Sequence, residues 1–153
     1  MLQRIVTMKI SAKGRYALIS MTYLAQNFDG NRPITLINIA GKMGISKIYL
    51  EQVFAALKRA NLVDSVKGAQ GGYQLRRLPR EITVYDILSV IELGLMEPSI
   101  SESKVGEFDR ALNSRIFEPL DQKIFDFLKS ITLEDILTAV ANEMDASSQM
   151  YFI

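Results

Sequence analysis

The stretch "MGISK", Met43 to Lys47, leaves a single residue between the stop of one helical pattern and the cap of the next. Upstream, Thr35 stands where an N-cap belongs, and Leu36, Ile39, Ala40 and Met43 recur at helical spacing until Gly44 ends the run. Downstream, Ser46 takes the next cap position, and Leu50, Val53, Phe54 and Leu57 fill one face of a helix over 47–60. Two apolar faces held this close by a glycine corner form a helix-turn-helix. A third amphipathic helix precedes them: "SAKGRYALISMTYLAQNF" opens on the cap Ser11 and repeats Ala17, Met21, Leu24 and Phe28.

The helix over 47–60 turns Ile48, Glu51, Gln52 and Ala55 outward, with Ser46, Lys47 and Tyr49 near its N-terminal end. Gln reads adenine and Glu accepts from cytosine when such a helix enters a major groove. The same residues also suit an ordinary solvated face. The next stretch of chain bears on the choice. "LVDSVKG" and "YQLRRL" are short strand-like runs joined by "AQGG", which makes a β-hairpin and, after a helix-turn-helix, the wing of a winged helix. The glycines permit positive φ at the tip and keep it thin enough for amides to approach a phosphate, or for Lys67 to enter a minor groove. A nucleotide loop fits badly, since the spacing is neither GxGxxG nor GxxxxGK[ST] and the loop leads into a strand. A purely structural hairpin remains open.

Composition limits the chemistry. The 153 residues include no cysteine and no histidine, which removes disulfides, thiolate and imidazole metal ligands, nucleophilic Cys and a His base. An enzyme would have to rely on Lys, Tyr, Asp or Glu, and no paired carboxylates or nucleophile signature stand out, so a non-enzyme without a cofactor is expected. No apolar run suffices for a signal peptide or a membrane span, and a cytoplasmic protein is expected. The net charge of +1 hides a gradient: residues 1–93 carry 13 Lys and Arg against 6 Asp and Glu, and residues 94–153 carry 5 against 11. A basic first part suits a polyanion, although such a skew also describes a solvated surface.

Taken in order, "ISAKGRYAL", "ISKIYLEQVFAALKRANLVDSVKGAQGGYQL" and "EITVYDIL" resemble the Rrf2 family of bacterial winged-helix transcription regulators, from Met8 to about Glu92. A further likeness lies in "IFEPLDQKIFDFLKSITLEDIL", which is similar to the family's long dimerisation helix and the short helix after it. The resemblance implies a homodimer regulating promoters, as a repressor or an activator, through palindromic sites in double-stranded DNA. It also implies that Ser46, Glu51 and Gln52 face bases, Tyr49 and Lys13 face phosphates, and Lys67, Gly68, Gly71 and Gly72 face the minor groove. Two departures stand out. Many members sense through a cysteine-ligated iron–sulfur cluster in the segment that here reads "ELGLMEPSISESKVGEFDRALNSRIF", which holds no cysteine. Lys67 stands where the family often has Arg, keeping the charge but losing the planar fork.

A cluster-free branch of the family, the cysteine-metabolism repressors of Firmicutes, is similar in "KGAQGGY", "ITLEDI" and the terminal "MYFI". That likeness implies O-acetylserine sulfhydrylase as a partner, its active site receiving the tail Tyr151, Phe152 and Ile153. A tail that packs on its own dimer or frays is the alternative. The expected organisation is mainly α with a small β-hairpin wing. It divides into a winged helix-turn-helix DNA-binding domain over 8–93, a linker or loop over 94–114, dimerisation helices over 115–145 and a C-terminal tail over 146–153. Residues 1–7 are read as functionally silent. Leu120, Ile124, Phe127 and Leu128 form the apolar face of the helix over 116–130, to be covered by its own domain or, as expected, by the same helix of a second subunit.

Overall fold

Ser11, Thr35 and Thr83 each accept a hydrogen bond from the backbone N–H three residues on, and each starts a helix. These helices belong to a computed structural model that describes residues 10–28, 32–97 and 106–151. The first is α1 (Ala12–Gln26), followed by α2 (Leu36–Met43) and α3 (Lys47–Arg59). Strands β1 (Val63–Val66) and β2 (Gly72–Leu75) come next, then a short 3-10 turn at Pro79–Glu81 and the helices α4 (Val84–Ile91) and α5 (Leu93–Met96). The chain continues through α6 (Gly106–Leu112), a π-helical turn at Asn113–Phe117, α7 (Glu118–Ser130) and α8 (Leu133–Met150). Mainly helical with one small sheet, the fold matches the expected class.

Ala17, Met21 and Leu24 of α1 pack with Ile39 of α2 and with Leu50, Val53, Phe54 and Leu57 of α3 in one core that Leu62, Val63 and Leu75 of the hairpin complete. Phe54, Met21, Ile39, Leu50 and Leu57 are fully buried, each contributing about 1.5–3 kcal/mol from burial. Of the face expected on α2, Ile39 is buried, while Leu36, Ala40 and Met43 are half-buried against the core.

The second half of the fold is joined by a repeat in the sequence. "ITVYDIL" (82–88) and "ITLEDIL" (131–137) share the pattern I-T-x-x-D-I-L. Each Thr caps its helix and its Asp accepts a bond in return from the Thr N–H, Asp86 at 3.0 Å and Asp135 at 2.9 Å. The two copies lie antiparallel, with Val84 N–H donating to the Ile131 carbonyl and Leu133 N–H to the Ile82 carbonyl, both at 2.9 Å. This joins the starts of α4 and α8, each of which packs on α1.

Three expectations change. Residues 106–114, read as linker, are helical, because α6 and the π turn run directly into α7. Residues 98–105 lie outside the described residues, as do Met1 to Thr7, Phe152 and Ile153. The helix after the long one is not short: α8 has 18 residues and continues through 146–150, so that much of the tail is helix. The α7 face is divided, since Leu128 is buried with Val84 and Leu88 and Ile124 packs beside them, whereas Leu120 and Phe127 stay 48% and 63% exposed.

Candidate DNA interface

Gly44 ends α2 with φ +66°, Ile45 tucks into the core, and α3 then starts with Ser46, Lys47 and Ile48 exposed. Ser46 holds the N-cap position, but its side chain makes no capping bond and stays exposed. Its hydroxyl is thereby available to an outside acceptor. Lys47, Ile48, Glu51, Gln52 and Ala55 are all exposed along α3, as the pattern required of an outer face. Lys47 and Glu51 form an ion pair at 3.3 Å with both side chains about half exposed. At about 0.3–0.5 kcal/mol such a pair adds little stability. Its electrostatic effect is more relevant, because the Glu51 carboxylate is presented to the surroundings with a cation attached.

Tyr49 is half-buried, and its ring meets Tyr16 of α1 edge-on with centroids 5.4 Å apart. Lys13 lies one turn before Tyr16 on α1 and is half-buried. Ser46, Lys47, Tyr49, Glu51 and Gln52 all fall at the cap and within the first two turns of α3.

The wing pairs Val63 with Leu75 through Val66 with Gly72. Its tip carries Lys67 and Gly68, both exposed, with Gly68 at φ +108°. Gly71 and Gly72 have internal reasons to be glycine. A Cβ on Gly71, which is buried, would collide with the Val66 carbonyl oxygen. Gly72 has φ +146°, and a Cβ there would lie 2.5 Å from the Ile34 carbonyl. Ile34 runs alongside, exchanging 2.8 Å bonds with Tyr73, so the hairpin gains a third strand position that no sequence pattern marks. At the hairpin base Arg76 donates to the Asn61 side chain and lies 3.9 Å from Asp64.

Glu92, at the end of α4, carries no motif that singles it out in the sequence. It accepts from the Ser11 N–H at 2.8 Å and also from the Ser11 hydroxyl, placing a carboxylate at the positive end of α1. Gly14 makes room for it, since a Cβ there would collide with Glu92 Oε1. The glycine of "KGRY" is the available signal, and the carboxylate it accommodates lies 81 residues away from Ser11.

Phe108, Leu112, Ile116, Leu120 and Phe127 form a run of exposed apolar residues along α6, the π turn and α7. Tyr151, just past α8, is 89% exposed. No helix among the described residues is long and apolar enough to cross a membrane.

Residues 10–139 match the family described as "Rrf2: Iron-dependent Transcriptional regulator". The chain is 37% identical over 146 residues to the HTH-type transcriptional regulator CymR of Bacillus subtilis, covering 95% of this chain and all of that one. It is 36% identical over 142 residues to the regulator IscR of Cereibacter sphaeroides, covering 90% of each. Among solved structures, CymR (YrzC), the global cysteine regulator of B. subtilis, aligns with a TM-score of 0.73 at 36% identity over 87% of this chain and 98% of that one. The iron dependence in the family's description does not fit these residues. The sequence offers no thiolate or imidazole, and no metal-holding group of three or more acidic residues exists among the described residues.

Proposed function

The chain belongs to the Rrf2 family of transcription regulators, and from that premise we propose that it is a homodimeric, sequence-specific DNA-binding repressor working without an iron–sulfur cluster. The observation that carries the reading is the start of α3, where Ser46, Lys47, Glu51 and Gln52 are all exposed. Ser46, Glu51 and Gln52 contact bases, and Lys13, Lys47 and Tyr49 contact phosphates. Lys67 and Gly68 at the wing tip meet the minor groove, while Gly71 and Gly72 shape the wing that carries them. The exposed stripe of Phe108, Leu112, Ile116, Leu120 and Phe127 supplies a surface for pairing two chains, which sets two reading heads on a palindrome.

Within that function we assign the regulon to cysteine and sulfur metabolism. Identity alone is nearly equal toward CymR and IscR. The absence of every cysteine favours the former, because a cluster-bearing sensor needs thiolates. On this reading the input is a protein, O-acetylserine sulfhydrylase, engaging Tyr151, Phe152 and Ile153. Deleting Ile153 abolishes capture of that enzyme and leaves operator binding intact, whereas undiminished capture would refute this input.

The regulator itself is tested by mixing purified protein with fragmented genomic DNA and sequencing what is retained. A palindromic motif upstream of sulfur-assimilation genes is expected. A palindrome elsewhere would reassign the regulon, and no enrichment would point to a winged helix that binds protein alone.

A further inference from the structure

Leu50, Val53, Phe54 and Leu57 of α3 are fully buried, whereas Ile48, in the first turn of the same helix, is 70% exposed. It lies three residues before Glu51 and four before Gln52, both exposed, so the three side chains share one stretch of the outer face. The core makes no use of this isoleucine, and in an exposed helix it is a poorer helix former than the Lys47 and Glu51 around it. Single apolar residues in solvent are common on protein surfaces. What narrows the chemistry of this one is its position among the residues assigned to bases. A hydrocarbon side chain can neither donate nor accept a hydrogen bond, so it has nothing to offer a phosphate oxygen or the polar edges of guanine, adenine and cytosine. The base edges in a major groove present one apolar group, the C5-methyl of thymine.

We propose that Ile48 is a specificity-determining residue that packs against a thymine methyl group, beside the bases taken by Glu51 and Gln52. The assignment rests on the DNA-reading function proposed for α3. A helix rises about 1.5 Å per residue, which sets Ile48 about 5 Å along the axis from Glu51 and Gln52. Base pairs follow one another at about 3.4 Å, so the thymine lies within one or two steps of the pairs that those residues read. The contact takes the methyl group and the end of the isoleucine out of water together, a gain that no other base at that position returns.

The test replaces each thymine of the selected operator by uracil, one position at a time in both half-sites, and titrates full-length protein by fluorescence anisotropy. Uracil keeps every hydrogen-bonding group of thymine and lacks only the methyl. One position in each half-site is expected to weaken wild-type binding about fourfold when its methyl is removed, the worth of one buried carbon. Ile48→Ala should bind the thymine operator more weakly than the wild type does and lose nothing further on the uracil operator. Gln52→Ala, weaker on the operator throughout, should keep the fourfold methyl effect. On a scrambled duplex, Ile48→Ala should match the wild type, as expected of an exposed residue that supports neither the fold nor a phosphate contact. A methyl effect that survives Ile48→Ala, or half-sites indifferent to every thymine-to-uracil change, would overturn the assignment and leave the regulator reading intact. So would an equal loss by Ile48→Ala on operator and scrambled duplex, which would place Ile48 outside base readout. A wild-type protein with no preference for the operator over the scrambled duplex would overturn the functional reading itself, and the role of Ile48 with it.

Discussion

Gln52 and Lys67 sit on different elements and report different physics. Gln52 is exposed on the outer face of α3, where its amide can pair with a base edge. Gln52→Ala is expected to cost about 1–3 kcal/mol on the selected operator and much less on random DNA, as read by fluorescence anisotropy on both. An equal loss on the two would place Gln52 off the bases. Lys67→Ala should weaken binding to all sequences and lower the salt slope by about one, if Lys67 neutralises one phosphate. Gly72 tests the wing's construction. Its φ of +146°, with the Ile34 carbonyl 2.5 Å from where a methyl group would stand, leaves no room for a side chain. Gly72→Ala should therefore lower unfolding stability by about 1–3 kcal/mol in urea titrations. At this scale, caps and core positions such as Ser11, Thr35 and Phe54 are legible in the sequence because local spacing specifies them. The reasons for Gly14 and Gly72 are not, since each answers to backbone or side chain distant in sequence.

The elements show where periodicity misleads. Residues 106–114 look like linker because "GEFDRALNS" is polar and its apolar residues, Phe108 and Leu112, are not buried within the chain. The π turn at Asn113–Phe117 then lengthens one turn, so an apolar stripe stepping 108, 112, 116 and 120 departs from the helical period that a pattern search expects. The division of the α7 face has a practical consequence. Ile124 and Leu128 support the chain's own packing with Val84 and Leu88, so substitutions there test folding before association. Leu128→Ala should lose about 2–5 kcal/mol of stability. Leu120→Glu combined with Phe127→Glu should leave the fold's circular dichroism intact while converting dimer to monomer in sedimentation, since an unpaired charge is costly in an apolar contact. A doubly substituted protein that stays dimeric would move the interface elsewhere.

For the whole molecule, the charge gradient and the fold coincide. The basic residues up to Glu92 build the winged helix, and the acidic remainder builds α6, α7 and α8, with no lysine or arginine after Lys129. The halves are nevertheless held together through α1, which packs on α3, α4 and α8, and through the paired I-T-x-x-D-I-L caps. Everything proposed for the molecule turns on its reading DNA sequence with a phosphate-anchored head. A salt series of affinities, at about 50–200 mM, for the selected palindrome and for a scrambled duplex of equal length measures this directly. A head of that kind gives a steep fall of log K with log salt on both duplexes and a preference for the palindrome that persists across the series. Equal affinity for the two duplexes, or binding indifferent to salt, would contradict it.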